Sequence, residues 1–470
     1  MKKKKIVILL TDGVSLKNFI YSDFISTASN LFEIYILNLT PFDLSDVPNC
    51  EELKVAPTKV SAIADLLKTA KITIQLNRNS KRNQDPIYQR YKFPLKYTSF
   101  TSFFKFVFLK IILLVFNSEF GLKLVSKGIL FFESKTDYYL ACKRLLNAVQ
   151  PNFVFSTTQR AIQAQAPLIA AKKLKIPTAC FVFSWDNLPK ATLVLETDYY
   201  FVWSQLMKKE LLHYYPNIKP EQVYISGTPQ FEKHKDASLL LDKELFYKKY
   251  NLDTTKKYIC FSGDDVTTSP NDQFYLKDLA ASIKKLNENG ENIGIIFRRC
   301  PVDFSNRYQP IIDEFPELIT PIAPIWDKIQ NSWNTIYPKK EDLNLLLSII
   351  HYSEFVVNVG SSMVFDFISD GKPCFYLNYE VADKIDSNHQ VMGLYDFVHF
   401  RSMPSKNAVF WLNSKTAIEQ LYFEKKQLQE TQKWFEIINE HPIELASTRM
   451  VSYIDAIINK NNFDFSSKKC

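Results

Sequence analysis

The segment FVVNVGSSMVFDFISDGKP, residues 355–373, joins an apolar run to an amphipathic one through Gly360-Ser361-Ser362. Read as strand, turn and helix, it puts free N–H groups and the positive end of a helix dipole at the turn. That setting attracts phosphate. Capping the helix accounts for one of the two hydroxyls. Asp366 follows Ser362 by one helical turn on the same face, where a carboxylate reaches a ribose or sugar hydroxyl; a solvated helix position is the alternative. Arg298 and Arg299 end the apolar run NIGIIFRRCP. Guanidiniums there suit a diphosphate, with an ordinary strand-edge charge as the alternative. Ser262-Gly263 end a further run, KYICFSGDD.

The first half of the chain repeats the pattern with acids. KIVILL runs into Thr11-Asp12-Gly13, with Ser15 and Asn18 close behind. NFVFST runs into Gln159-Arg160, and CFVF runs into Ser184-Trp185-Asp186-Asn187. A part-buried carboxylate can be tuned to take a proton, so Asp12 and Asp186 are candidate general bases. Gly13, Ser15, Asn18, Gln159, Arg160, Trp185 and Asn187 are candidate substrate contacts. The alternatives are a turn at Asp12-Gly13 and a cap or turn at Asp186 before Pro189. His399, in the strand-like YDFVHFRSM, is a candidate contact or base, with a core histidine as the alternative. No HExxH, HxxxH, GxGxxG or strand-following DxD occurs, so no metal and no dinucleotide cofactor are expected.

These residues need elements that carry them to one place. Continuous apolar strands of four to seven residues alternate with amphipathic helices, which argues for parallel sheets covered on both faces. In such sheets ligands bind beyond the carboxyl ends of the strands, and nearly every expected strand exit here is polar. The chain has 470 residues, enough for two domains. The expected fold class is α/β: two Rossmann-like doubly wound parallel-sheet domains, at 1–235 and 255–440, with a C-terminal helix and tail at 441–470. A lysine-rich linker is expected at 232–256, and a helical, aromatic and basic insertion fills about 85–148.

Composition excludes several classes. Apolar residues make up 46% and charged residues 23%, a globular balance. A net charge of +8 suits an anionic ligand or a membrane surface, and no nucleic-acid signature accompanies it. Seven scattered cysteines without a CxxC pair imply a reduced, cytoplasmic setting. The opening MKKKKIVILL has too short an apolar stretch for a signal peptide. Residues 99–132 are strongly apolar but interrupted by Lys105, Lys110, Lys123 and Lys127. They read either as helices at the inner surface of the cell membrane or as an internal pair with snorkelling lysines.

Two blocks, FVFSWDNLPKA and DYYFVWSQLMKKELLHYYPNIKPEQVYISGTPQFE, resemble the middle of bacterial surface-polysaccharide glycosyltransferases of the GT-B fold. These belong to the UDP-glycosyltransferase/glycogen phosphorylase-like superfamily. LLTDGVSLKNF is similar to their first loop, and residues 342–379 resemble their nucleotide-binding half and that of polyol-phosphate polymerases. The resemblance covers about 1–40 and 150–380. It implies two domains facing a cleft, with acceptor bound by the first and a nucleotide sugar by the second. Ser361 and Ser362 would then bind diphosphate, and Asp366 would contact the donor. Two departures stand out. Relatives often end the strand in Arg/Lys-x-His-Pro where this chain has Arg298-Arg299-Cys300-Pro301, and their donor acid is commonly Glu. The expected activity is metal-independent, inverting sugar transfer from a nucleoside-diphosphate sugar to a glycan or lipid-linked glycan. The alternatives are a CDP-glycerol-type transferase and a catalytically silent scaffold of a polysaccharide assembly complex.

Overall fold

The computed structural model describes residues 3–55, 59–92, 99–329, 335–381, 391, 393–420 and 425–467. It divides into two compact units, one of Met1–Glu232 with Ile438–Cys470 and one of Lys233–Ile437.

The first unit is built on a parallel sheet of seven strands: β1 (Lys4–Leu10), β2 (Phe32–Asn38), β3 (Glu51–Leu53), β4 (Phe153–Ser156), β5 (Thr178–Phe181), β6 (Tyr199–Val202) and β7 (Val223–Ile225). They lie in the order β3-β2-β1-β4-β5-β6-β7. Ile6 to Leu10 are fully buried, as befits a central strand covered on both faces. Phe19 packs edge-on against Phe24, Phe155 and Phe181 at 5.2–5.4 Å between centroids, closing one face. Between β3 and β4 the chain forms helices Ala62–Arg82, Phe100–Phe116, Glu119–Glu133 and Asp137–Val149. The helical region thus begins some twenty residues earlier than the sequence suggests.

The C-terminal helix Ala446–Ser467 completes this unit. Tyr453 stacks 4.9 Å from Tyr224, and Arg449 Nε donates to the Ser226 carbonyl at 2.9 Å. Ser447 Oγ donates to Glu232, whose carboxyl is pushed up to about 7 by burial.

The second unit holds β8 (Lys257–Ser262), β9 (Ile293–Arg298), β10 (Ile319–Pro321), β13 (Val356–Asn358), β14 (Cys374–Leu377) and β15 (Phe410–Leu412), in the order β10-β9-β8-β13-β14-β15. Two short strands, β11 (Trp326–Lys328) and β12 (Ile336–Pro338), pair antiparallel beside it. The stretch expected as a linker is part of this unit. Helix Lys243–Lys249 buries Phe246, whose ring lies 5.2 Å from Tyr352. Both main sheets reverse their strand order once, between β1 and β4 and between β8 and β13. Such a reversal opens a crevice beyond the strand ends where ligands bind.

Candidate active site

In the first unit three strand exits converge. After β1, Asp12 caps the turn Gly13–Ser15: Ser15 N donates to Asp12 Oδ1 at 2.8 Å. Among the described residues the second oxygen has only a long hydrogen bond, with Thr11 Oγ1 donating at 3.4 Å. Ser15 Oγ lies 3.3 Å from Thr11 Oγ1, and Gly13 is buried beneath the turn. Asn18 is buried one turn on, and its Oδ1 has no hydrogen-bond partner among the described residues.

After β4, Gln159 is fully enclosed and stitches two loops together. Its Oε1 accepts from Phe183 N at 3.1 Å. Its Nε2 donates to Asn187 Oδ1 at 2.9 Å and to Thr192 Oγ1 at 3.0 Å. Gln159 and Asn187 therefore satisfy each other. The adjacent Arg160 lies 4.1 Å over the Phe183 ring. Burial depresses its pKa, while the charges of Asp12 and of Asp186 both raise it. One guanidinium thus feels both candidate bases.

After β5, Asp186 holds its own loop. Ser184 Oγ donates to Oδ1 at 2.5 Å and Asn187 Nδ2 at 2.8 Å, and Lys190 forms an ion pair with Oδ2. Trp185 is buried, so its ring is packing surface. Opposite this loop lies a residue the sequence reading passed over. Glu210 sits on helix Gln205–Tyr214, and its Oε2 is buried with no partner among the described residues. Burial, then the Asp186 charge, push its carboxyl up to about 8. A signal was present: Glu210 falls on the stripe Met207, Leu211, Tyr214, where spacing of three and four marks the core face.

In the second unit the exits of β8 and β13 flank the order reversal. Ser262 and Gly263 are buried at the end of β8. A Cβ on Gly263 would come within 2.8 Å of Tyr308 Oη, so glycine is needed for that packing. Tyr308 Oη donates to Asp272 at 2.8 Å, and Asp272 also accepts from Asp264 N at 2.9 Å. Burial raises both carboxyls, and the neighbouring acids raise Asp264 further.

Gly360 has φ +65°, a left-handed conformation that a side chain would strain. Ser361 N donates to Asn358 Oδ1 at 2.9 Å, and Ser361 Oγ is 3.4 Å from Met363 N. Ser362 precedes helix Met363–Ser369 without capping it by its side chain. Of the two hydroxyls, it is that of Ser361 which accepts from the start of the helix, through this long contact.

Several expected contacts are engaged elsewhere. Arg298 is buried and its Nη2 donates to both oxygens of Asp342, at 2.9 and 3.0 Å. The guanidinium overcomes the burial that would raise Asp342, holding its carboxyl low. Nη1 of Arg298 keeps no partner among the described residues. Arg299 donates to the carbonyls of Cys300, Pro301 and Asp303 and lies 4.4 Å over the Phe304 ring. These three bonds all come from Nη1. The Asp366 carboxylate lies inside the unit, 2.8 Å from His234 Nε2, with both side chains buried. His399 lies in the 3-10 helix Val398–Ser402 rather than a strand, its ring 4.4 Å from Phe400 and stacked on Phe397. The flanking aromatics that suggest a strand here supply ring packing. Among the described residues no group of three His, Cys, Asp or Glu side chains is placed to hold a metal ion.

No family model and no curated protein sequence matches the chain. Solved structures do match in shape. A Listeria monocytogenes protein described as a "putative UDP-N-acetylglucosamine 2-epimerase" shares 9% identity at TM-score 0.53, covering 98% of both chains. A glycosyltransferase from Rickettsia africae ESF-5 shares 9% identity at TM-score 0.50, covering 98% of this chain and 99% of its own. At that identity the likeness speaks for architecture, and the chain carries the two parallel-sheet α/β domains of the GT-B fold.

Proposed function

We propose that the protein is a metal-independent glycosyltransferase, moving a sugar from a nucleoside-diphosphate sugar to a surface glycan or lipid-linked glycan. The observation that carries this reading is the placement of Asp12, Arg160 and Asp186 just beyond the ends of three neighbouring strands, β1, β4 and β5, where the first sheet reverses its order. The fold is shared with a protein named as a glycosyltransferase and with one named for a UDP-sugar reaction, which supports a nucleotide sugar as donor.

Asp12 is the base in this scheme, since one of its oxygens keeps only the long contact with Thr11. It takes the acceptor hydroxyl proton as the oxygen attacks the anomeric carbon. The bond from that carbon to the diphosphate oxygen breaks, and the electron pair leaves with the nucleoside diphosphate. Attack opposite the leaving group inverts the anomeric centre. Ser15 N holds Asp12 in place, Arg160 carries a positive charge that both acids feel, and Asn18 Oδ1 accepts from a sugar hydroxyl. In the second unit the diphosphate is bound by the hydroxyls of Ser361 and Ser362 and by Nη1 of Arg298.

The test is calorimetric titration of UDP, GDP and CDP, with Ser361→Ala/Ser362→Ala as the control. Binding lost in the double variant, followed by sugar transfer only when acceptor is present, supports the reading. No binding at millimolar nucleotide, turnover of CDP-glycerol, or epimerised sugar formed without acceptor would overturn it.

A further inference from the structure

Helices Phe100–Phe116 and Glu119–Glu133 carry large apolar side chains in the open. On the first, Phe100, Phe104, Phe108, Ile111, Leu114 and Val115 are exposed, Leu114 by 87% and Phe100 by 78%. At about 100° per residue they fall within an arc of roughly 120°. The opposite side, with Leu109, Leu113 and Phe116, packs on helix Ala62–Arg82. Lys105 and Lys110 are exposed on the two flanks of the apolar arc. The second helix repeats the arrangement. Phe120, Leu124 and Phe131 form an exposed stripe with Lys127 inside it and Lys123 beside it, while Val125 packs on Ala62–Arg82.

Both helices bury one side against the same neighbour, so both apolar stripes are left outward. The first alone is about 25 Å long. A contiguous apolar surface of this extent is unusual on a protein with nothing to cover it.

Charge selects the occupant. Residues 99–132 contain four lysines and a single acid, Glu119. Glu119 is paired with Arg78 at 3.0 Å. A second copy of this face would bring the same lysines against each other. An anionic lipid surface instead offers acyl chains to the aromatics and headgroup phosphates to the lysines. Among the described residues no helix is long and apolar enough to cross a membrane, which fits helices lying in the plane of the surface.

We propose that the face formed by Phe100–Phe116 and Glu119–Glu133 docks the protein on a bilayer bearing anionic lipids, with the exposed aromatics in the acyl boundary and the lysines at the headgroups. This does not depend on the glycosyltransferase reading.

The experiment is flotation of the full chain with vesicles of phosphatidylcholine alone and of phosphatidylcholine mixed equally with phosphatidylglycerol. The wild type is expected to float with the mixed vesicles and to be released partly by salt. Phe104→Ser/Phe108→Ser/Leu114→Ser removes only exposed side chains, and each truncation should weaken partitioning on the order of tenfold. Lys105→Gln/Lys110→Gln/Lys123→Gln/Lys127→Gln should abolish the preference for phosphatidylglycerol while keeping the wild-type unfolding midpoint. Wild-type protein left at the bottom with both vesicles would overturn the proposal. So would a dimer in sedimentation equilibrium that the serine variant dissociates, since the face would then belong to a second copy.

Discussion

Glu210→Gln should stabilise the protein, and by an amount that grows with pH. Burial and the Asp186 charge hold the Glu210 carboxyl at about 8 against an ordinary 4.5. Below the ordinary value both folded and unfolded chains carry the proton, and the charge costs nothing. Between the two values the unfolded chain ionises while the folded one keeps its proton. Folding stability then falls by about 1.4 kcal/mol per pH unit. Above pH 8 both states are ionised and the loss levels off, with an upper bound on the order of 5 kcal/mol. Glutamine keeps the shape and does not titrate. The assay is urea unfolding followed by tryptophan fluorescence, from about pH 5 to pH 9, for wild type and variant. The gap between midpoints should open with rising pH and then stay constant. Asp186→Asn, which removes the neighbouring charge, should move the levelling-off to lower pH. Parallel curves for wild type and Glu210→Gln would refute the reasoning, because an ordinary carboxyl produces no gap in this range.

Three further outcomes follow from single contacts. Arg298→Ala leaves Asp342 buried without its cation and should cost about 3–5 kcal/mol in urea unfolding; Arg298→Met with Asp342→Leu should recover only part of it, since Ile325 N and Trp326 Nε1 lose their acceptor. Gly360→Ala forces a side chain into a left-handed conformation with its Cβ 2.9 Å from Leu394. It should lose about 1–3 kcal/mol of stability, with weaker nucleotide binding by calorimetry. Asp12→Asn keeps an oxygen for Ser15 N but cannot take a proton, so kcat for sugar transfer should fall about 10²–10⁴-fold with the donor KM nearly unchanged.

The two sheets were legible because their strands are continuous apolar runs that end abruptly in polar residues. Some short strands were not. Phe410–Leu412 has three residues and no alternation, and it becomes β15 only by pairing with Cys374–Leu377. Pairings across distance were equally hidden. Nothing near Arg298 announces Asp342, 44 residues on, or Ile325 N and Trp326 Nε1, which donate to the same carboxylate at 2.8 and 2.7 Å. The acids that mattered in this way stand on core-facing stripes. Asp342 shares its face with Leu345, Leu346 and Ile349, as Glu210 does with Met207 and Leu211. An acid at such a spacing must find a cation or hold its proton; Asp342 does the first and Glu210 the second.

The same test separates the two candidate bases. Position alone cannot, because Asp12 and Asp186 each follow a buried strand and each feel Arg160. What separates them is how much of each carboxylate the fold already uses. Asp186 engages both oxygens, with Ser184 and Asn187 on one and Lys190 on the other. Protonating it would break the ion pair that holds its loop. Asp12 spends one oxygen on Ser15 N and leaves the other a single long contact. An acceptor hydroxyl can approach that oxygen without breaking a short hydrogen bond, and reach of this kind is the first condition a general base must meet. Asp186 instead holds the loop after β5 together, so Asp186→Asn should slow transfer less than Asp12→Asn while costing more stability.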